Sequence, residues 1–374
     1  MTNGISRRGL FQVAVAAAAA RQSLAGAPQQ RPSMGPPAAG PKDFPTLAGR
    51  STVSIVQGEE RRKNAYLALQ SIGRELREKM KGKRYVVIKP NFVNVFNQLA
   101  STHADAVRCI LDFLSESFKG PVVIAESAAG DTRRAFDNFR FQALTNEYAR
   151  QQLKLIDLND EAKFETVALL DADLHVVPCR IAARLVDPEA FVISSALMKT
   201  HNTVIASLSI KNMVLGAPLH APNGERPNWS EKRKYHVGLR QTHYNMMVTA
   251  QRLNWGASLI DGFEGMEGNG PASGTPVPSR IAIASTDYVA ADRVAAEAMG
   301  MDPEWLGYVK YCGQLGLGQF DPARIDVIGA RLADVRKPYR MHPDIERELD
   351  WRGPMTELTP NLGWTRALGD QQRG

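Results

Sequence analysis

The chain has 374 residues and a formal net charge of +7 at pH 7, with 44% hydrophobic and 23% charged residues. These proportions are typical of a globular protein and exclude a disordered, collagen-like or coiled-coil chain. The three cysteines, Cys109, Cys179 and Cys312, share no CxxC or CxxxC spacing. Three cysteines so far apart in the sequence argue against a disulfide scaffold and against an iron–sulfur cluster held by a contiguous cysteine motif.

The amino terminus has the pattern of an export signal. Arg7 and Arg8 precede an apolar run over residues 10–20, which is too short to span a bilayer and resembles a twin-arginine signal peptide. We therefore expect residues 1–27 to be a signal read by the twin-arginine export machinery, and the protein to be periplasmic or extracellular. An accidental arginine pair before an alanine-rich helix is the alternative. No later segment reaches spanning length without charges, so no transmembrane helix is predicted.

The remaining charge gives little reason to expect a nucleic-acid partner. Residues 1–27 contain three arginines and no acidic residue, which leaves 43 basic against 39 acidic residues in the rest of the chain. A basic segment, Lys232-Arg233-Lys234, has few aromatic neighbours, whereas nucleic-acid surfaces usually combine both features. Residues 28–48, rich in Pro, Gly and Ala, are expected to form a linker.

From residue 52 onward, strand-like and helix-like patterns alternate. Strands are predicted over 52–56, 85–88, 121–125, 153–156, 191–193, 257–260 and 281–284. Helices are predicted over 60–81, 103–118, 134–150, 240–254 and 287–299. This order predicts an α/β protein with a largely parallel sheet, helices on both faces and one large domain over residues 49–330, followed by a polar tail over 331–374. In such sheets, ligands bind beyond the carboxyl ends of the strands.

Polar residues directly follow the strand predicted over 85–88. Lys89 can donate hydrogen bonds to an anion, and Asn91 can orient a carboxylate or an amide. We predict that both bind substrate. A solvated lysine before a turn is the alternative interpretation.

The densest group of candidate residues comes after the strand predicted over 191–193. It contains Lys199, His201, Lys211, Asn212 and His236. Lysines and histidines together can bind an acidic substrate, or a histidine can ligate a metal while a lysine holds a carbonyl group. Lys211 lies in an apolar stretch, where burial would lower its pKa and make its amine more nucleophilic.

From this group we predict His201, Lys211 and His236 as catalytic residues, and Lys199 and Asn212 as substrate-binding residues. Two surface lysines and a core histidine would be the structural alternative.

An acidic, glycine-rich stretch follows the strand predicted over 257–260. Asp261, Glu264 and Glu267 alternate there with four glycines, and carboxylate oxygens are the ligands that hard cations prefer. We predict a loop that binds a divalent metal through these three residues. A mobile lid whose acids are merely solvated is the alternative.

In this order, the motifs resemble the family known as domain of unknown function 362, over about residues 50–330. The matching stretches are 87–91 (VIKPN), 102–103, 198–201 (MKTH), 211–216 (KNMVLG), His236, 261–271 and 285–292. Many members of that family carry a ferredoxin-like cysteine-rich segment, which this sequence does not contain, so the resemblance does not extend to an iron–sulfur cluster. More distantly, the order of His201, Lys211 and His236 resembles the cofactor-holding half of nickel-pincer lactate racemases, which implies a lysine tether and supporting histidines.

Taken together, these residues favour an exported, metal- or cofactor-assisted enzyme that acts on a small anionic, carboxylate-like substrate. The reaction class stays open between proton transfer or isomerisation and a redox reaction. The cofactor is not identified, and a divalent metal is one candidate. A non-catalytic binding protein for an anionic metabolite is the alternative.

Overall fold

The computed structural model describes residue 47 and residues 49–161, 163–222, 225 and 228–353. The predicted signal over 1–27, nearly all of the predicted linker and the chain beyond 353 lie outside these described residues. Among the described residues, no helix is both long enough and apolar enough to cross a bilayer.

The described chain is organised around one large mixed sheet. Its strands and those of a separate hairpin are β1 (Ser51–Gln57), β2 (Tyr85–Lys89), β3 (Val122–Glu126), β4 (Lys154–Asp157), β5 (Phe164–Leu170), β6 (Val176–Ala182), β7 (Ala190–His201), β8 (Ile205–Ser207), β9 (Ala257–Glu267), β10 (Thr275–Val277), β11 (Ile281–Ser285) and β12 (Ile325–Gly329). The order across the sheet is β12-β1-β11-β9-β7-β2-β3-β4, while β8 pairs with β7, β10 pairs with β9, and β5 pairs with β6. Along the main path, β11 is antiparallel to both neighbours and the other pairs are parallel.

Helices cover the sheet on both faces. Their bounds are α1 (Arg61–Ser71), α2 (Gly73–Met80), α3 (Ala104–Ser117), α4 (Thr132–Asn138), α5 (Gln142–Glu147), α6 (Ser209–Gly216), α7 (Leu239–Ala250), α8 (Tyr288–Ala298), α9 (Gly307–Gln314), α10 (Leu332–Val335) and α11 (Ile345–Glu348). Along β2, Val87 belongs to one hydrophobic cluster while Val86 and Ile88 belong to the other, because successive strand residues point to opposite faces. The predicted α/β fold with a largely parallel sheet is confirmed.

Two strands are much longer than predicted. The strand expected over 191–193 is β7, which continues to His201, and the one expected over 257–260 is β9, which continues to Glu267. The two pair with each other, with a shift of register between Leu197 and Lys199. The polar and glycine-rich residues at their ends are therefore strand residues, and the prediction that residues 261–267 form a loop is wrong. Pairing with neighbouring strands outweighed the local preference of these residues for turns.

Two long predicted helices are each divided. The helix expected over 60–81 is α1 and α2, separated at Ile72, and the helix expected over 134–150 is α4 and α5. Of the tail predicted from residue 331, the described part contains α10 and α11 and buries Tyr339 and Trp351. Strands β5, β6 and β12 and helix α6 have no counterpart in the predicted elements.

Candidate functional site

A cavity of about 310 Å³ lies at the carboxyl ends of parallel strands β2, β3 and β7, beside helix α6. Its polar lining includes Asn91, Glu126, His201, Lys211, Lys232 and His236. This is the edge of a parallel sheet at which ligands usually bind. Four of the predicted site residues, Asn91, His201, Lys211 and His236, therefore share one cavity.

Lys89 lies beneath the cavity and is fully buried. Its Nζ donates hydrogen bonds to Pro90 O at 2.7 Å, to Glu126 Oε2 at 2.7 Å and to Asn212 Oδ1 at 2.8 Å. Burial lowers the pKa of Lys89, and the carboxylate of Glu126 opposes that shift. Because an ammonium has three N–H donors, Lys89 has none left for a ligand and instead holds Glu126 in place at the cavity wall.

Lys199 is also buried and hydrogen-bonded to protein groups. Its Nζ donates to Asn91 Oδ1 at 2.6 Å and to Ala100 O at 2.7 Å. Burial, followed by the positive charge of Lys211, holds the pKa of Lys199 well below its usual value. Asn212 donates from Nδ2 to Lys89 O at 3.1 Å and to Ser194 Oγ at 3.0 Å. Lys89, Lys199 and Asn212 thus form a hydrogen-bonded floor under the cavity.

Lys211 differs from the lysines of this floor. It lies in the first turn of α6 and is 6% exposed. Within the described part of the chain, its Nζ has no hydrogen bond and no ion pair. Burial lowers the pKa of Lys211 to about 7, so protonated and neutral amine coexist at neutral pH. A free amine of this kind can act as a nucleophile or as an acid–base group.

The two cavity histidines are held in the neutral form. Burial and the charge of Lys211 hold the pKa of His201 well below its usual value and lower that of His236 to about 4. His201 Nδ1 accepts hydrogen bonds from the backbone N–H groups of Thr203, at 3.0 Å, and Val204, at 3.4 Å. A neutral imidazole has one N–H, so that of His201 is on Nε2, the nitrogen available to a ligand.

Helix α6, which carries Lys211, is fixed at both ends. At its start, the backbone N–H groups of Ser209 and Ile210 donate to the carboxylate of Asp292 at 2.8 and 2.9 Å. At its end, Lys232 Nζ donates to Leu215 O at 2.7 Å and to Pro218 O at 3.1 Å. Asp292 and Lys232 thus provide hydrogen-bond partners for backbone groups that the helix itself leaves unpaired at its two ends.

Two cavity residues, Glu126 and Lys232, are not among the predicted site residues. Glu126 ends β3, so the rule that drew attention to Lys89, a polar residue at the end of a buried strand, could have found it. Lys232 was treated as part of a surface basic segment, yet burial lowers its pKa to about 7. The sequence carries no signal that would separate Lys232 from its neighbours Arg233 and Lys234.

The three acidic residues predicted to bind a metal do not meet. Asp261 is buried, forms an ion pair with Arg61 at 3.1 Å and accepts a hydrogen bond from the backbone N–H of Phe263. Glu264 is exposed, and Glu267 accepts a hydrogen bond from the backbone N–H of Arg340 at 2.9 Å. In the part of the chain that the structure describes, three ligand atoms converge within 4.8 Å at the turn of the β5–β6 hairpin, which lies outside the cavity.

The fold and the cavity together define an α/β protein with a pocket lined by lysine and histidine side chains at the carboxyl edge of its sheet. The chain belongs to the family described as a domain of unknown function (DUF362), which matches residues 86–297, more than half of its length. Each of the predicted catalytic residues lies inside that range.

Among solved structures, the chain is similar to the crystal structure of a Thermotoga maritima protein determined as a structural genomics target. The identity is 10% and the TM-score is 0.39, over 70% of this chain. The match covers 60% of the Thermotoga protein, so this chain spans less than two thirds of its length. No curated protein matches this sequence.

Gly216 tests whether the Lys89–Glu126 pair supports the cavity. A Cβ at this position would overlap Cε and Nζ of Lys89 and lie 2.8 Å from Glu126 Oε1. Gly216→Ala should therefore reduce the free energy of unfolding by about 2 kcal/mol, as overpacking does in other cores, in urea denaturation. Gly130→Ala is the control, since its Cβ would meet Val95 at an ordinary 3.5 Å. Equal stability of the two variants would contradict a supporting role for the ion pair.

Arg61→Met tests the role assigned to Asp261. Removing one partner of a buried ion pair costs about 3 kcal/mol, so urea denaturation should show a comparable loss at pH 8. The pKa of Asp261 is raised by burial and opposed by Arg61. Without Arg61 it should rise further, and the loss should diminish as the pH falls and the carboxyl group is protonated.

The variant Arg61→Met with Asp261→Asn should recover part of that stability, because no buried charge is then left unpaired. If Arg61→Met has no effect on stability but Asp261→Asn abolishes divalent metal binding, Asp261 is a ligand and not a structural partner.

Proposed function

We propose that this protein is an enzyme that binds a small carboxylate-like anion in the cavity and uses Lys211 as its reactive group. The observation that carries the proposal is that Nζ of Lys211 has no partner among the described residues and lies in a cavity that a second lysine, Lys232, also lines. A cavity of about 310 Å³ is at the lower end of the size range for small-molecule sites, which fits a small metabolite.

Charge supports an anionic ligand. Lys211 and Lys232 line the cavity, and among its described lining residues the one carboxylate, that of Glu126, is paired with Lys89 at 2.7 Å. The neutral histidines His201 and His236 add polar groups but no charge. In a site of low dielectric constant, cationic groups attract an anion more strongly than they do in water. A bound carboxylate would also supply the negative charge that the ammonium groups of Lys211 and Lys232 lack, and would lower the free energy of burying them.

Proton transfer is the chemistry that this arrangement favours. A catalytic acid or base works best when its pKa is near the working pH, and the pKa of Lys211 is about 7. His201 offers an N–H from Nε2 that can hold an anionic oxygen.

A non-catalytic anion-binding protein is the second candidate function. The hydrogen bonds of Lys89 and Lys199 make the floor of the cavity rigid, and a rigid site is sufficient for binding an anion without a reaction.

The proposed enzyme could use a metal or an organic cofactor, but His201 is not well suited to bind a metal. His201 accepts hydrogen bonds at Nδ1 and carries its proton on Nε2, and an imidazole must be free of its proton to ligate a metal. The described cavity residues therefore suit a hydrogen-bond donor better than a metal ligand at this position. Elemental analysis of the natively exported protein, with intact-mass spectrometry, tests this, and a stoichiometric divalent metal would favour the metal-assisted form.

We also propose that the cysteines of this chain do not hold an iron–sulfur cluster. Cys109, Cys179 and Cys312 are all free and buried. Burial raises the pKa of Cys109 and Cys312, which disfavours the thiolate form that iron–sulfur clusters require.

Lys211→Met tests the proposed function. Thermal-shift titration with small carboxylates should show stabilisation of the wild-type protein and little or none of the variant, because the methionine side chain has no charge. Proton NMR of the same carboxylates in deuterium oxide should show exchange of a carbon-bound proton with the wild-type enzyme alone. Lys211→Arg, which keeps the charge, should retain binding and lose exchange. Retained exchange in both variants would remove Lys211 from the mechanism.

The stability of Lys211→Met should depend on pH in a defined direction. The pKa of Lys211 is about 7 when folded and 10.5 in its ordinary state, so the unfolded chain binds more protons between these values and unfolding becomes costlier as the pH rises. Below pH 7 the variant should be more stable than wild type by at most about 5 kcal/mol, the free energy that corresponds to lowering the pKa of Lys211 from 10.5 to about 7. That advantage should shrink toward pH 10.5, and an advantage that is independent of pH would contradict burial of the Lys211 charge as its cause.

We propose that the protein is exported by the twin-arginine route to the periplasm or beyond. Replacing Arg7 and Arg8 together by lysine should leave the protein in the cytoplasm, because that machinery reads the arginine pair. Fractionation and immunoblotting measure this, and Arg21→Lys, outside the pair, is the matched control. Unchanged export of the double variant would refute the proposed route.

A further inference from the structure

We propose that the anion bound in this cavity carries a carbonyl group next to its carboxylate, as in an α-keto acid, and that Lys211 condenses with it to form an iminium. This inference rests on the proposed function and adds the class of substrate.

The first support comes from comparing the lysines of the site. Lys89 donates to three acceptors, and Lys199 and Lys232 donate to two each. Lys211 donates to none in the described chain, although it is 6% exposed and lines the cavity. A nucleophilic amine needs a free lone pair and access to the substrate. Lys211 and Lys232 both line the cavity, and of the two only Lys211 has an Nζ that no acceptor in the described chain holds in place.

The second support is a set of hydrogen-bond donors that can bind the carboxylate of the ligand. Lys232 uses two of its donors at the end of α6, and an ammonium has three, so one N–H remains for a ligand. His201 contributes the N–H of Nε2. These groups line the same cavity as Lys211, so a carboxylate held by them places an adjacent carbonyl within the same small volume.

The third support is the identity of the protein groups near Lys211. The charge of Lys211 lowers the pKa of His201, His236 and Lys199, which places all three in its electrostatic neighbourhood. Neutral His236 can relay a proton during condensation. The helix that carries Lys211 is held by Asp292 and Lys232 at its ends, so the amine is presented by a fixed backbone.

The condensation balances without a further reactant. The lone pair of Nζ forms a bond to the carbonyl carbon as the C=O π electrons move to oxygen. The oxygen then leaves as water, taking two protons from the nitrogen, and one proton from a neighbouring group yields the iminium. No oxidant or reductant is consumed. The positive iminium would draw electrons from the neighbouring carbon, which makes its proton easier to remove.

Reductive trapping tests the inference on the intact protein. Wild-type protein is incubated with pyruvate and sodium cyanoborohydride, followed by intact-mass spectrometry and peptide mapping. We expect one adduct, with the mass of pyruvate less one oxygen atom, on the peptide that contains Lys211. Lys211→Arg should give no such adduct. Glyoxylate, which is smaller, is run in parallel.

Propionate and acetate serve as matched ligands that lack the carbonyl group. If these carboxylates and the keto acids stabilise the protein equally and no adduct forms on Lys211, the iminium is refuted while the anion site stands. If none of the four stabilises the protein and no adduct forms, the proposed anion site fails as well. An adduct on Lys232, or labelling that is unchanged in Lys211→Arg, would also overturn the assignment to Lys211.

Discussion

The buried ion pair between Lys89 and Glu126 joins the end of β2 to the end of β3, and the cavity depends on it. Nζ of Lys89 also reaches Asn212 on α6, so one ammonium links two strands and a helix. Gly216 lies against this pair, and any side chain there would displace the lysine. Because a buried charge is costly unless it is fully hydrogen-bonded, each of these partners constrains the others.

Two lysines in the walls of the cavity, Lys211 and Lys232, have no carboxylate partner among the described residues. Lys211 and Lys232 both have a pKa lowered to about 7 by burial, which means that folding makes the ammonium form less favourable at both positions. Buried ionisable groups with strongly shifted pKa values reduce the stability of the folded protein and are common at functional sites. A bound anion would provide a counter-charge for both lysines. The burial that lowers the stability of the ligand-free protein therefore also favours binding of an anion.

Much of the site was predictable because parallel strands end at one edge of their sheet. Asn91, His201, Lys211 and His236 were selected from residues after predicted strands, and they line one cavity. The roles of Lys89 and Lys199 were harder to predict, since the local sequence does not show whether a lysine faces a ligand or protein acceptors. The acidic residues of β9 illustrate the opposite error: glycines and acids suggested a loop, but pairing with β7 and β10 kept the chain extended and separated Asp261 from Glu267.

The sequence by itself determined the α/β class, the order of the core elements and the edge of the sheet at which the candidate residues gather, because these follow from hydrophobic periodicity and the rules of parallel sheets. Only the tertiary structure decided which polar residues are satisfied by protein partners and which are left for a ligand. That distinction depends on hydrogen bonds between residues more than a hundred positions apart, such as Lys89 with Asn212 and Lys199 with Asn91, and local sequence carries no record of them.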